Sequence, residues 1–136
     1  LSIPVFGQAL STFDPIAINR SEGSKALKHI LREGGKAIQA RKRVVIFPEG
    51  TRTPPGTRGR YSVGGGMLAR QAGVDVVPIA HNAGVYWRRH GFLKYPGTIQ
   101  LVIGPAIATH GLSAKAITAK AEHWIESTMD SLPASH

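Results

Sequence analysis

The sequence predicts an α/β domain with a central, largely parallel sheet flanked by helices. Three observations support this: short runs of Val, Ile and Leu typical of buried strands, helical apolar spacing between those runs, and turn residues at the junctions. A length of 136 residues fits one domain, and 42% hydrophobic residues with 7% aromatics fit an ordinary folded core. We therefore expect a single domain over residues 1–136.

The first half of the chain predicts a strand, a helix and a second strand. Residues 16–19 form a short apolar run, and residues 21–41 place apolar side chains at helical spacing. Gly34 and Gly35 each weaken that helix by about 1 kcal/mol relative to Ala, which allows a break there. The run RVVIF at 43–47 is β-branched and uninterrupted, which favours a buried strand.

The second half predicts two helices and two strands. Three glycines lead into a short helix at 67–72. The runs VDVVPIA at 74–80 and TIQLVI at 98–103 favour further strands. A C-terminal helix is expected at about 113–131, with Ser113 as its N-cap.

The charge of the chain predicts anionic partners. It has 17 Lys and Arg against 8 Asp and Glu, which gives a formal net charge of +9. Phosphate-bearing small molecules, anionic lipid and nucleic acid all fit this charge, and so does a solvated basic surface. The absence of Cys excludes a disulfide framework and a Cys nucleophile, and the scattered His residues predict no metal site.

The polar loop after residues 43–47 is the first candidate site, because ligands of open α/β sheets bind at the carboxyl ends of strands. Gly50 allows a sharp turn, and Arg52 offers a planar fork that suits phosphate. Glu49 is expected to orient that guanidinium or to accept a hydrogen bond. The alternative is a structural turn with a surface ion pair of little energetic value.

Two further residues are candidates on their position alone. Arg20 ends the first predicted strand, and it would converge with Arg52 on one anion if the two strands were neighbours. His81, just after a predicted strand, is a weaker candidate. The segment GGGMLA at 64–69 lacks the preceding strand and the later acidic residue of a dinucleotide site, so no nucleotide cofactor is expected.

The segment FPEGTR at 47–52 is similar to the third signature block of the glycerolphosphate acyltransferase superfamily. Within that superfamily the chain most resembles the 1-acyl-sn-glycerol-3-phosphate acyltransferases. Residues 3–7 (IPVFG) and 16–20 (IAINR) resemble the second block, and residues 77–80 (VPIA) resemble the fourth. The resemblance is strongest over residues 3–108, and it implies a glycerolphosphate-acyltransferase-like domain.

This resemblance implies a function. An enzyme of this kind transfers a fatty acyl group from acyl-CoA or acyl-carrier protein to the sn-2 hydroxyl of 1-acyl-glycerol-3-phosphate, and the product is phosphatidate. No cofactor is implied beyond the acyl donor as co-substrate. The implied substrate-binding residues are Arg20, Glu49, Gly50, Thr51 and Arg52. Pro78 is implied to lie near the acyl chain, and Arg20 and Arg52 to hold the acceptor phosphate.

The sequence departs from the family at its first block, H-x-x-x-x-D, which supplies the catalytic base. None of the six His residues is followed by Asp five positions later. We therefore expect the domain to be incomplete at its N-terminus, with no catalytic residue in this chain except the weak candidate His81, and this chain alone to be inactive. A non-catalytic relative that binds lysophospholipid or acyl-CoA is the first alternative, and a basic nucleic-acid-binding domain is the second.

The implied location is the cytoplasmic face of the bacterial inner membrane, reached through segments missing from this chain. Aromatic and basic residues alternate in one stretch, and they suit a membrane surface, although core packing of the aromatics fits equally well. These residues are Tyr86, Trp87, Arg88, Arg89, Phe92, Lys94 and Tyr95.

Overall fold

The computed structural model of the chain describes residues 15–16, 23–88 and 91–133. The chain divides into two compact units, Leu1–Val44 and Val45–His136. The elements, in chain order, are α1 (Ser24–Gln39), α2 (Gly64–Ala72), β1 (Ile79–His81), α3 (Ala83–Tyr86), β2 (Leu101–Ile103) and α4 (Ala114–Met129). In these described stretches no helix has the length and hydropathy to cross a bilayer. The single domain expected over 1–136 stays a prediction.

Helix α1 of the first unit confirms the helix predicted at 21–41, with shorter ends. It begins after Gly23, whose φ of 48° lies in the left-handed region that favours glycine. The break that Gly34 and Gly35 allowed does not occur, since the helix is continuous through both. The low helix propensity of glycine is only a weak preference, and it does not interrupt this helix of sixteen residues.

The core of the second unit lies where α2, α4 and β1 pack together. Leu68 of α2, Ala80 of β1 and Ile117 of α4 are only 1–2% exposed. Gly66 faces α4 so closely that an added Cβ would collide with the Ala114 carbonyl oxygen. Gly64, Gly65 and Gly66 belong to α2 and do not merely precede it. The close packing of α2 on α4 requires glycine at position 66.

The sheet of the described residues has two strands, and they are antiparallel. Strands β1 and β2 pair with Ala80 opposite Val102, and a separate bridge joins Val76 to Ile107. The expectation of a largely parallel sheet is therefore wrong for these residues. A parallel pair needs a crossover of a dozen or more residues, usually a long helix. The stretch 82–100 carries only the single turn α3, and the chain returns antiparallel to β1.

Residues 43–47 do not form the predicted buried strand. They have no ladder partner among the described residues, and the side chains of Val45 and Phe47 are 74% and 72% exposed. A strand is stable only when its backbone groups are paired, and apolar composition cannot supply that partner. The predicted strand at 16–19 lies mostly outside the described residues.

Candidate functional site

The loop that follows residue 47 begins with a tight turn. The Gly50 N–H donates to the Phe47 carbonyl oxygen at 2.9 Å, and Gly50 has a φ of 67°. Glycine carries no Cβ penalty in this region, so the turn expected at Gly50 is present. The Ser62 N–H donates to the Pro48 carbonyl oxygen at 2.8 Å, which joins the two ends of the loop. We call residues 48–62 the site loop.

Glu49 lies inside the site loop and is partly buried. A Cβ added to Gly59 would collide with the Glu49 carboxylate and would lie 2.8 Å from Thr53 Cγ2. The absence of a side chain at Gly59 therefore leaves room for the Glu49 carboxylate in its present position. No ion pair joins Glu49 to Arg52 in the described part of the chain, so the expected orientation of the guanidinium by Glu49 is not observed.

Arg52 lies instead beside an aromatic ring. Its guanidinium carbon is 5.8 Å from the centroid of Trp87, and Lys94 Nζ is 4.8 Å from the same centroid. The indole ring therefore attracts two cations. Arg52 and its neighbour Thr51 are exposed, and in the described residues no carboxylate pairs with Arg52. Its planar fork of N–H donors is available for an anion.

Helix α3 packs against the site loop from the second half of the chain. A Cβ at Gly84 would contact Pro55 Cγ at 3.8 Å, which shows how close the two segments are. Asn82 precedes α3 and is only 2% exposed. Its Oδ1 accepts from the Gln100 N–H at 2.8 Å, while its Nδ2 is buried with no partner in the described part of the chain. Asn82 thus fixes the start of α3 to the start of the second strand segment.

Four side chains connect the site loop to α4, and we call them the α4 latch. Arg58 Nη2 donates to Asp130 Oδ2 at 2.8 Å, and Arg58 Nε lies 3.2 Å from Glu126 Oε2. The Tyr61 hydroxyl donates to Glu126 Oε1 at 2.9 Å. Arg58 and Asp130 are mostly exposed, whereas the Glu126 side chain is 15% exposed. The Tyr61–Glu126 bond is therefore the least solvated part of the α4 latch.

The α4 latch shifts the ionisation of its tyrosine. Burial, then the hydrogen bond to Glu126, and then the negative charges of Glu126 and Glu49 raise the pKa of Tyr61 well above its ordinary value. Tyr61 therefore stays a neutral donor to Glu126 through the physiological pH range. This cluster was missed by sequence reasoning, because its members lie 65 and 72 positions apart along the chain.

The structure brings Glu49, Gly50, Thr51 and Arg52 together in the site loop, as their adjacency requires. Arg20 lies outside the described residues, so its convergence with Arg52 stays a prediction. His81 is exposed, and its Nδ1 accepts from the Ala83 N–H at 3.2 Å. This bond engages the lone pair of Nδ1, and the role of His81 as a base stays a prediction.

Pro78 is buried in a packing contact. The Gly104 N–H donates to the Pro78 carbonyl oxygen at 2.9 Å, and a Cβ at Gly104 would lie 2.6 Å from Trp124 and 2.9 Å from Pro78 Cγ. A groove of about 440 Å³ lies beyond it, lined by Pro105, Ile107, Ala119, Lys120, His123 and Trp124. Pro78 does not line this groove, and its acyl-binding role stays a prediction.

Comparison with known proteins shows the family to which the chain is similar. A family model described as acyltransferase matches residues 1–82. The chain is 49% identical to a Pseudomonas aeruginosa protein named 1-acyl-sn-glycerol-3-phosphate acyltransferase, over 95% of this chain and 51% of the relative. It is 32% identical to human 1-acyl-sn-glycerol-3-phosphate acyltransferase beta, over 75% of this chain and 37% of that protein.

A solved structure shares the fold. The crystal structure of the 1-acyl-sn-glycerophosphate acyltransferase PlsC from Thermotoga maritima superposes with a TM-score of 0.71 at 24% identity, over 78% of this chain and 45% of that chain. This confirms the α/β acyltransferase fold class that the sequence predicted. The chain spans about half the length, or less, of the relatives that it matches.

Proposed function

The chain belongs to the acyltransferase family, and from this membership we propose that its polypeptide acylates the sn-2 hydroxyl of 1-acyl-glycerol-3-phosphate to give phosphatidate. The observation that carries the proposal is the 49% identity, across 95% of the chain, to the Pseudomonas aeruginosa protein of that name. Acyl-CoA or acyl-carrier protein donates the acyl group, and the reaction needs no further cofactor.

The reaction is a direct acyl transfer. The acceptor hydroxyl oxygen attacks the thioester carbonyl carbon, the new ester C–O bond forms, and the C–S bond breaks to release the thiol. A base takes the hydroxyl proton during the attack, and that proton finally balances the thiolate. No His of this sequence stands in the H-x-x-x-x-D pattern. We therefore assign binding roles, and no base, to the residues of this chain.

Arg52 is the residue that we assign to the acceptor phosphate. It is exposed on the site loop, and its planar donors match two phosphate oxygens at once. Thr51 is the exposed neighbour of Arg52 in the chain, Gly50 supplies the turn, and Glu49 is partly buried within the loop. With its phosphate held, the acceptor presents the sn-2 hydroxyl in a fixed place. In this proposal Arg20 is the second phosphate ligand.

We also propose that the reaction takes place at the membrane surface, on the cytoplasmic face of the inner membrane. The acceptor and the product are both lipids, and the net charge of +9 suits an anionic surface. The described residues contribute no spanning helix to this attachment.

The first experiment replaces Arg52 in the full polypeptide. A charge-assisted hydrogen bond contributes about 1.5–3 kcal/mol. Arg52→Ala should therefore lower kcat/KM for 1-acyl-glycerol-3-phosphate by roughly 10- to 100-fold. Arg52→Lys keeps the charge but loses the fork, and should recover only part of this loss. The measurement is steady-state acyl transfer from acyl-CoA.

Two controls make the result specific. Arg60→Ala removes the same charge from another exposed position of the site loop and should leave kcat/KM nearly unchanged. With 1-acylglycerol, which has no phosphate, wild type and Arg52→Ala should be equally slow. An Arg52→Ala enzyme with wild-type kinetics on the phosphorylated acceptor would remove Arg52 from the site. Tight binding of the acceptor without turnover would favour the non-catalytic relative.

A further inference from the structure

Two adjacent apolar side chains of the loop between Tyr86 and Tyr95 are exposed to solvent. Phe92 is 96% exposed and Leu93 is 66% exposed. Single exposed apolar residues are common, but a neighbouring Phe and Leu this exposed indicate a surface with a partner. We call residues 87–88 and 91–95 the tip loop.

The tip loop is closed at its base and carries its aromatic and cationic groups there. The Tyr95 N–H donates to the Tyr86 carbonyl oxygen at 2.9 Å, which holds the two ends together. At this base Lys94 lies 4.8 Å from the Trp87 ring centroid, and Arg88 lies 6.0 Å from the Tyr95 ring centroid. The tip loop therefore combines two exposed apolar side chains with amphipathic rings and cations. This is the combination of groups that interfacial proteins present to a membrane surface.

The charge around the tip loop selects an anionic partner. The sequence has no Asp or Glu between Asp75 and Glu122. Nucleic acid would use the cations but would leave Phe92 and Leu93 in water. A bilayer with anionic headgroups satisfies both kinds of group, because its headgroups meet Lys94 while its acyl region takes the two apolar side chains.

The tip loop is linked to the site loop through one ring. The centroid of the Trp87 ring lies 4.8 Å from Lys94 Nζ and 5.8 Å from the Arg52 guanidinium carbon. A bilayer whose headgroups meet Lys94 is therefore also near Arg52. The headgroup region is where the phosphate of a membrane-embedded lysophospholipid lies.

We propose that the tip loop is a docking surface for an anionic lipid bilayer, with Phe92 and Leu93 inserted and with Trp87 and Lys94 at headgroup level. Docking then presents Arg52 to acceptor lipids that are still in the membrane. This last step depends on the proposed acyl transfer, whereas the docking itself does not.

A site-specific probe tests the docking. The sequence contains no Cys, so Leu93→Cys gives a single labelling position in this chain for an environment-sensitive fluorophore. Vesicles of phosphatidylcholine with phosphatidylglycerol should shift the emission of this label to the blue, and vesicles of phosphatidylcholine alone should shift it much less. Val63→Cys, at another exposed apolar position, is the control and should not respond. A silent label at position 93, or an equal response at both positions, would overturn the proposal.

A second experiment separates docking from catalysis. Phe92→Ser with Leu93→Ser should weaken binding to the anionic vesicles by about tenfold or more, and Val63→Ser should not. The double variant should lose acyl transfer to acceptor embedded in vesicles but keep it on acceptor dispersed in detergent. Equal loss on both forms of acceptor would contradict docking as the role of the tip. If no form of the enzyme transfers acyl groups, the proposed function fails, and the label at position 93 still decides the docking.

Discussion

At the residue scale, the backbone turn of the site loop was predictable from the sequence, whereas the contacts of its side chains were not. The turn at Gly50 was predictable, because a glycine after Pro and Glu at the end of an apolar run indicates a turn. The contact of Arg52 with Trp87 was not, since that ring comes from a distant part of the sequence. Sequence adjacency suggested Glu49 as the partner of Arg52, but Glu49 instead lies under Gly59.

The glycine run of α2 offers a matched pair of substitutions. A Cβ at Gly66 would collide with the Ala114 carbonyl oxygen, while a Cβ at Gly65 would make ordinary contacts with Ile46 at 3.6 and 3.7 Å. Gly66→Ala should therefore destabilise the fold by about 1–3 kcal/mol. Gly65→Ala should stabilise it by about 0.5–1 kcal/mol through helix propensity. Urea unfolding of both variants tests this, and shifts of the same sign would contradict the packing described for α2 on α4.

At the element scale, helices followed from the sequence and strands did not. The helices predicted at 21–41, 67–72 and 113–131 are confirmed as α1, α2 and α4, and the Ser113 side chain accepts from the Ala116 N–H at 3.1 Å as an N-cap should. Helical hydrogen bonds are local, so spacing and caps carry the information. The predicted strands at 74–80 and 98–103 shorten to three residues each, because pairing depends on a partner elsewhere in the chain.

The α4 latch gives a prediction about pH. Tyr61→Phe should destabilise the fold at neutral pH by about 1 kcal/mol, because the partly buried Glu126 loses its donor. The unfolded Tyr ionises near pH 10, whereas the raised pKa keeps folded Tyr61 protonated to higher pH. The folded state then binds more protons, so this contribution to stability is complete below pH 10 and declines above it.

Thermal unfolding of wild type and Tyr61→Phe across this range measures the effect. The difference in Tm should be constant up to about pH 9 and should narrow above pH 10. Arg58→Ala serves as a comparison within the α4 latch. It removes the ion pairs that the exposed Arg58 makes with Asp130 and Glu126, and it should lower the Tm only slightly. A Tm difference that widens above pH 10 would show that Tyr61 ionises more easily in the fold than expected.

At the scale of the whole molecule, composition and one motif predicted the class of protein correctly, but they did not predict the arrangement of its sheet. The segment at 47–52 indicated an acyltransferase, in agreement with the family that the comparisons show, and the excess of cations indicated an anionic partner. The antiparallel pairing of β1 with β2 was not predictable, because it depends on how the stretch 82–100 turns back.

The uneven distribution of charge predicts how vesicle binding responds to salt. Salt screens surface charges, with a Debye length of about 10 Å at 0.1 M and 3 Å at 1 M. Lys94→Gln should therefore weaken binding to anionic vesicles at low ionic strength and have little effect near 1 M. Lys115→Gln removes the same charge from α4 and should matter less at every salt concentration. Vesicle co-sedimentation across a salt series measures both, and identical curves would argue against a role for Lys94.

The unpaired segment 45–47 and the exposed apolar residues of β1 and β2 have a consequence for behaviour in solution. Ile79, Leu101 and Ile103 are 43–65% exposed, each of the two paired strands is an outer edge of its sheet, and residues 45–47 have no ladder partner among the described residues. Such an edge invites pairing with another copy, and the net charge of +9 opposes it by repulsion between copies. Multivalent anions that neutralise this charge are therefore expected to promote aggregation through strand pairing between copies. The Lys and Arg residues that attract anionic lipid thus also keep the copies of the protein apart in solution.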